Sequence, residues 1–375
     1  MNQGILYSPF PGLAICVMPD TPRRLKEKLD CELGQYRSQD CVEVGIVVSG
    51  SRHAETSERT FGLRKLGVYR LANEGIEISV GQGTLVLSEL SYPLSMSISS
   101  AFPVRQAWNI IENAYKHVCL MEKDALFVHG GGFVAGERPF YLVGWSGTAK
   151  TYLAIESLRR GLQLIGDDFL ILFTRNSTGE TMVAPYVPRC FDFGLYHLRH
   201  YDLIRKLPWQ QRTQIAAMSM CLWCGQRLPV RTKLLADLIR KISRRWSYFY
   251  LDWKVLLPNA NIQTEVLYAK LGVWCVLMNS ESDEIVIRRI TGERLREAVR
   301  ATTLQEMSAW LGLLRAIEYL GCSRKTFLPG EVLRHVDQLV AKALPNGLRG
   351  MVLHVPCTIN AKELMNKLLH IRGGK

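Results

Sequence analysis

Apolar and polar residues alternate with a period of two through much of the first hundred residues, then change to helical spacing near Val104. Val42–Val48, Val68–Leu71, Ile76–Val80 and Thr84–Ser88 are short alternating runs separated by Gly, Asn and Ser, which predicts a β-rich region over residues 1–103. Val104–Val118 carries Ala107, Ile110, Ile111 and Ala114 on one helical stripe. Leu126–His129 then reads as the start of a core strand, and Phe140–Val143, bounded by Pro139 and Gly144, as a short buried one. Leu153, Ala154, Ser157 and Leu158 return to helical spacing, and Gly161 is placed to stop that helix. Farther on, Gly272–Met278 and Glu284–Arg289 are predicted to form a hairpin across Asn279–Asp283. Amphipathic helices follow at Thr291–Thr302 (Thr291 as N-cap), Leu304–Leu320, Gly330–Leu344 and Ala361–His370, with a last strand at Met351–Val355. Strands alternating with helices give an α/β fold class.

The strand, turn and helix around residue 147 carry the chemistry. Gly144–Thr151, GWSGTAKT, has the outline of a phosphate-binding loop: Gly144, Ser146, Gly147, Thr148 and Ala149, then Lys150 and Thr151. Unpaired N–H groups at the start of a helix face an anion, and the helix dipole favours one there. Lys150 is expected to neutralise the β- and γ-phosphates of ATP, and the Thr151 hydroxyl to ligate Mg2+. Ala149 stands where a glycine is usual; if that position needs positive φ, alanine costs about 1–2 kcal/mol, and its methyl is expected to crowd the phosphates. From Thr148 to Arg160 a helix extends about 20 Å, and a strand over Leu162–Asp167 returns about the same distance. That brings Asp167 and Asp168 back to the level of the loop. Adjacent strand residues face opposite ways, so the two carboxylates cannot share one job. They interrupt an apolar run, LQLIG–FLILF, where uncompensated carboxylates are costly and a metal is a natural compensation.

In this order, His129-Gly130, the phosphate loop and the Arg-Gly…Leu-Ile-Gly-Asp-Asp run resemble the HPr kinase/phosphorylase family, whose nucleotide-binding fold is shared with phosphoenolpyruvate carboxykinase. About fifty residues carry the resemblance strongly. It implies ATP, Mg2+ and phosphoryl transfer to a hydroxyl, usually a serine of a protein or peptide. It also implies His129 near the γ-phosphate, Asp167 as general base and Asp168 as metal ligand, an order the residues alone leave open. Without the resemblance, His129 reads as a core histidine at a strand end. Arg189, between two prolines, is weighed equally as a phosphate or adenine contact and as a plain loop arginine.

Composition and charge add a second feature. The chain has 375 residues, 47% apolar and 22% charged, with a net charge of +13. Between His197 and Lys254, twelve Lys/Arg stand against three Asp, which accounts for +9 of that charge. Leu234, Leu235, Leu238, Ile239 and Ile242 at helical spacing, followed by the aromatic run Trp246–Trp253, predict a basic helical insertion over 197–260. The phosphate-loop core is expected to occupy 104–196 and to be completed by 261–375. The insertion is compatible with nucleic acid, an acidic peptide or an anionic lipid surface, though no nucleic-acid-binding motif supports the first. Cys221 and Cys224 form a lone CxxC without partners at zinc spacing, and the ten scattered cysteines read as reduced core residues of a cytoplasmic protein. No apolar run reaches the ~18 residues of a membrane span, and the N-terminus, broken by Pro9 and Pro11, does not read as a signal peptide. Three functions are therefore weighed: a kinase, a non-catalytic nucleotide-binding regulatory or assembly protein in which Ala149 marks a degenerate loop, and a nucleic-acid binder acting through the basic lobe. Self-association stays open.

Overall fold

The computed structural model describes residues 4–39, 42–51, 56–63, 67–72, 75–88, 92–175, 178–188, 190–227, 248–321, 328–344, 348, 350–356 and 360–371. The chain is mixed α/β and divides into two compact units, Met1–Val187 with Asn261–Lys375, and Pro188–Ala260.

In the larger unit, the first sheet has nine strands in the order 37–38, 5–10, 13–17, 43–50, 94–98, 83–88, 75–80, 67–72 and 56–63. The strand 43–50 is parallel to both of its neighbours, and the remaining pairs are antiparallel. The β-rich reading of this region holds. The strands Ile5–Phe10 and Leu13–Val17 were not expected: Pro9 and Pro11 break the alternation, while Gly12 at φ 85° makes the turn between them. The sheet shares one apolar core with the rest of the unit. Phe10 packs edge-on against Phe173 at 5.3 Å, Tyr36 stacks on Tyr186 at 5.8 Å, and the Phe10 amide donates to Tyr115 Oη at 3.0 Å.

The second sheet runs 267–268, 181–184, 169–174, 125–135, 138–144, 273–280, 350–356 and 286–290. The strands 138–144, 273–280 and 350–356 are mutually parallel, and both faces carry apolar residues, as a sheet covered by helices requires. The expected hairpin does not form. Gly350–Pro356 inserts between Val273–Ser280 and Val286–Ile290, parallel to the first and antiparallel to the second. The five residues 281–285 need only span two strand spacings, about 10 Å, and the Leu353–Val355 segment gains a fully covered position.

The helix ends follow their sequence signals. Thr291 Oγ1 accepts from the Arg294 amide at 3.4 Å, and Gly161, at φ 73°, follows the helix Lys150–Arg159. The smaller unit contains a ribbon of 190–194 with 248–252 and a helix Trp209–Arg227, and Trp253 Nε1 donates to the Pro188 carbonyl at 3.1 Å. The described part of the aromatic run begins as strand Tyr248–Asp252, since consecutive bulky aromatics favour an extended, pleated backbone. The helical stripe predicted at Leu234–Ile242 lies outside the described residues, as does Arg189. Among the described residues no helix is long and apolar enough to cross a membrane.

Candidate functional site

The strand Arg138–Gly144 lies in the sheet interior, between 125–135 and 273–280, and delivers residues 145–149 to the start of the helix Lys150–Arg159. Gly144 is there because a Cβ would lie 2.6 Å from Thr148 Oγ1 and 2.8 Å from the Leu277 carbonyl. Gly147 has φ 83°, and Ala149, the last residue before the helix, has φ 74° and ψ 6°. The position usually held by glycine therefore does adopt the left-handed conformation, and alanine carries its cost of about 1–2 kcal/mol. The Ala149 methyl does not sit in the open part of the loop. It is buried in an apolar cluster with Phe140, Leu142, Leu153 and Leu277, which partly offsets the strain.

The loop is tied by its own side chains. Thr148 Oγ1 donates to the Trp145 carbonyl at 2.7 Å, and Lys150 Nζ donates to the carbonyls of Gly144 at 2.7 Å and Trp145 at 2.8 Å. An ammonium has three N–H donors, so one remains for a ligand. The first amides of a helix have no intrahelical carbonyl to bond, and an anion at the helix start is their usual acceptor. Burial pushes the Lys150 pKa down; Asp168, Asp167 and Glu306 act in the opposite sense.

Asp167 and Asp168 occupy the bend between strands Gln163–Gly166 and Phe169–Thr174, not the interior of one strand. Both strands pair with the single long strand Ala125–Ala135, whose register shifts between Gly132 and Phe133. The glycine run fits this junction closely. The Gly130 amide donates to the Asp168 carbonyl at 2.9 Å, and a Cβ on Gly131 would lie 2.7 Å from the Gly166 carbonyl oxygen and 2.9 Å from that of Asp167. The bend separates the two carboxylates. Asp167 is buried and accepts from Thr151 Oγ1 at 3.2 Å through Oδ2, while its Oδ1 has no hydrogen-bond partner. Burial, then Asp168, push its pKa well above the ordinary carboxylate range. Asp168 is exposed.

His129 stands beside this bend, with its ring edge-on to Phe169 at 5.8 Å. Burial, then Lys150 and Lys116, push its pKa down to about 3, so the imidazole is neutral. Its Nδ1 is 3.2 Å from Glu306 Oε1, yet neither ring nitrogen makes a hydrogen bond, so the contact is a proximity and not an ion pair. Glu306, whose pKa burial raises, and Lys116, whose Nζ lies 3.4 Å from the centre of the Phe169 ring, are site residues that motif reading missed. Glu306 continues the buried stripe Leu295, Val299, Thr302–Thr303, and a carboxylate on such a stripe is a legible signal.

His129, Lys150, Thr151, Asp167 and Asp168 are thus one cluster. Of the remaining expected contacts, Ser146 and Gly147 are exposed at the loop tip, and Thr148 is spent on the loop itself. Among the described residues no three His, Cys, Asp or Glu side chains converge on a self-sufficient metal site. Thr151 and Asp168 do supply hard oxygen donors of the kind Mg2+ takes, in ones or twos, alongside substrate phosphates. Asp167 Oδ1, buried and without a donor, marks a place where a cation or its water shell would relieve a polar deficit. Neither the models of known protein families nor the curated proteins contain a match to this chain.

Proposed function

We propose that the chain is an ATP- and Mg2+-dependent phosphotransferase of HPr-kinase-like type, acting on a hydroxyl such as a serine of a protein or peptide. The observation that carries this reading is the Thr151–Asp167 contact: the hydroxyl opening the phosphate-loop helix donates to Asp167, in the acidic bend after the next strand, at 3.2 Å. The amides of the first helical turn and the remaining Lys150 donor serve the β- and γ-phosphates. Thr151 and Asp168 would hold Mg2+, which neutralises charge developing between those phosphates. Asp167, whose proton affinity is raised by burial and by Asp168, would act as the general base that takes the hydroxyl proton. Neutral His129 presents a polarisable ring edge beside the transferred group without repelling Lys150.

The test is binding of a fluorescent ATP analogue with and without Mg2+, together with ADP formation. Lys150→Ala is expected to weaken binding at least tenfold, and Asp168→Asn to remove the Mg2+ dependence. Unchanged binding in Lys150→Ala would end the kinase reading and the nucleotide-binding alternative together. Tight Mg2+-dependent binding with no ADP formation under any acceptor would favour the non-catalytic alternative.

A further inference from the structure

The smaller unit carries a surface that the phosphotransferase reading does not use. Its helix Trp209–Arg227 has two charged residues in nineteen, Arg212 and Arg227, and both are basic. A helix so poor in charge is ordinarily covered on most sides. One side is covered: Ile215 is buried, and the Arg199 guanidinium of the neighbouring helix Leu195–His200 donates to Ser219 Oγ at 2.7 Å. Another side is open to solvent. At 3.6 residues per turn, positions 209, 216, 220 and 223 fall within about 60° of one another around the helix axis. There Trp209 is 66% exposed, Met220 67% and Trp223 53%, with Ala216 also exposed between them. Single exposed apolar side chains are ordinary, but two tryptophans and a methionine aligned over about 21 Å of one helix mark a contact face.

Charge narrows what covers this face. No Asp or Glu occurs between Leu203 and Arg227, whereas Arg205, Lys206 and Arg212 are all exposed. Arg212 borders the apolar arc, and Ser219, where Arg199 is held, lies along the same edge. Arg205 and Lys206 stand in the turn Ile204–Lys206, just before Trp209. Asp202, 3.7 Å from Arg205, leaves the margin net positive. The pattern is an apolar centre with a cationic margin. A nucleic acid or an acidic peptide asks for the reverse, with cations central where they meet phosphates or carboxylates. An anionic lipid surface matches it. The rings and thioether enter the boundary between headgroups and acyl chains, and the marginal cations meet lipid phosphates. Tryptophan suits that boundary because its ring is apolar and its N–H polar.

We infer that the face running from Trp209 to Trp223 docks the chain peripherally on an anionic lipid surface, with the helix axis along the membrane plane. The inference is independent of the phosphotransferase reading, and its test needs neither nucleotide nor turnover.

That test is flotation of the full chain with vesicles. Phosphatidylcholine vesicles with about one-third phosphatidylglycerol should bind at least tenfold more tightly than phosphatidylcholine alone, since each basic residue near such a surface strengthens binding about fivefold. Brominated acyl chains should quench tryptophan fluorescence on binding, and less so in Trp209→Phe. Trp209→Ser combined with Met220→Ser should weaken binding to the anionic vesicles at least tenfold. Arg205→Ala combined with Arg212→Ala should weaken it about 25-fold. All four side chains are exposed, so the urea midpoint of each double variant should stay close to that of the wild type. Equal binding to the two vesicle types, no flotation with either, or unchanged binding in either double variant overturns the assignment. So does tighter binding, at equal salt, to polyglutamate or to a single-stranded oligonucleotide that the same variants abolish, which would give the face to an acidic peptide or to nucleic acid.

Discussion

Ala149→Gly isolates the physics of the loop. At φ 74° alanine bears a left-handed strain of about 1–2 kcal/mol, which glycine removes. Against that, the substitution deletes a buried methyl, about 0.8 kcal/mol, and adds unfolded-chain freedom of about 0.4–1 kcal/mol. The two sides nearly cancel, so the variant is expected within about 1 kcal/mol of wild type by urea titration, read from the shift in midpoint at constant slope. Were residue 149 an ordinary helical residue, there would be no strain to relieve. Glycine would then cost about 0.8 kcal/mol of burial and up to about 1 kcal/mol of helix propensity, near 2 kcal/mol together. A loss of 2 kcal/mol or more would therefore refute the left-handed assignment. Because the backbone amides keep their positions, affinity for an ATP analogue should also stay within about threefold; a large gain would show that the methyl does crowd the phosphates.

Three other expectations come from the same cluster. Asp167 has a folded pKa raised above its unfolded value, so as pH rises from about 4 through the folded pKa the native state loses stability. Asp167→Asn should abolish that loss: its stability relative to wild type should grow between pH 5 and pH 8, and a constant difference would contradict the burial argument. His129, together with His117, which lies outside that cluster on the helix Val104–Lys123, buried against Trp310, is lowered to about 3; both are neutral in the native state and charge on unfolding. Stability should fall as pH drops from about 6.5 toward 3, with a slope approaching two protons, or about 2.7 kcal/mol per pH unit; proton uptake measured on unfolding at pH 5 checks this. Gly131→Ala places a Cβ 2.7 Å from one backbone carbonyl oxygen and 2.9 Å from the next, and backbone cannot swing aside as a side chain can. It should cost more than about 2 kcal/mol and weaken Mg2+-dependent nucleotide binding, whereas Gly147→Ala, with open space at its Cβ, should cost only its left-handed strain.

What the sequence made legible was local. Gly144, Gly147, Lys150, Thr151 and the Gly161 stop lie within one strand–turn–helix unit, where hydrogen bonding and φ preferences act between near neighbours. The return of Asp167 to Thr151 was also calculable, because a helix and strand of known rise must close on themselves if they pack. Their placement at a bend was not, since it depends on a register shift in the strand 125–135, which precedes them. The failed hairpin has the same cause on a larger scale. Two apolar strands with a short connection satisfy every local rule for pairing, and only the arrival of Gly350–Pro356 between them decides otherwise. Lys116 escaped for that reason too, looking like an ordinary helix lysine until tertiary packing puts it near His129, whereas Glu306 left a trace in the stripe Leu295, Val299, Thr302–Thr303 that it continues.

That late-arriving pair changes the electrostatics of the site more than the motif does. The phosphate loop alone offers Lys150 and helix amides, an environment that attracts any phosphate. With Asp167, Asp168 and Glu306 all acting on Lys150, and Glu112 acting on Glu306, the carboxylates outnumber the two buried lysines. A free triphosphate entering such a site meets repulsion in a partly desolvated space, where charges at ~4 Å interact several-fold more strongly than in water. A divalent cation reverses the sign of that term and gives the acidic bend its counter-charge. If the proposed phosphotransferase reading holds, the bend and the loop together take a metal–nucleotide pair and neither part alone, so cation dependence of binding discriminates that proposal from a general anion site more sharply than affinity does.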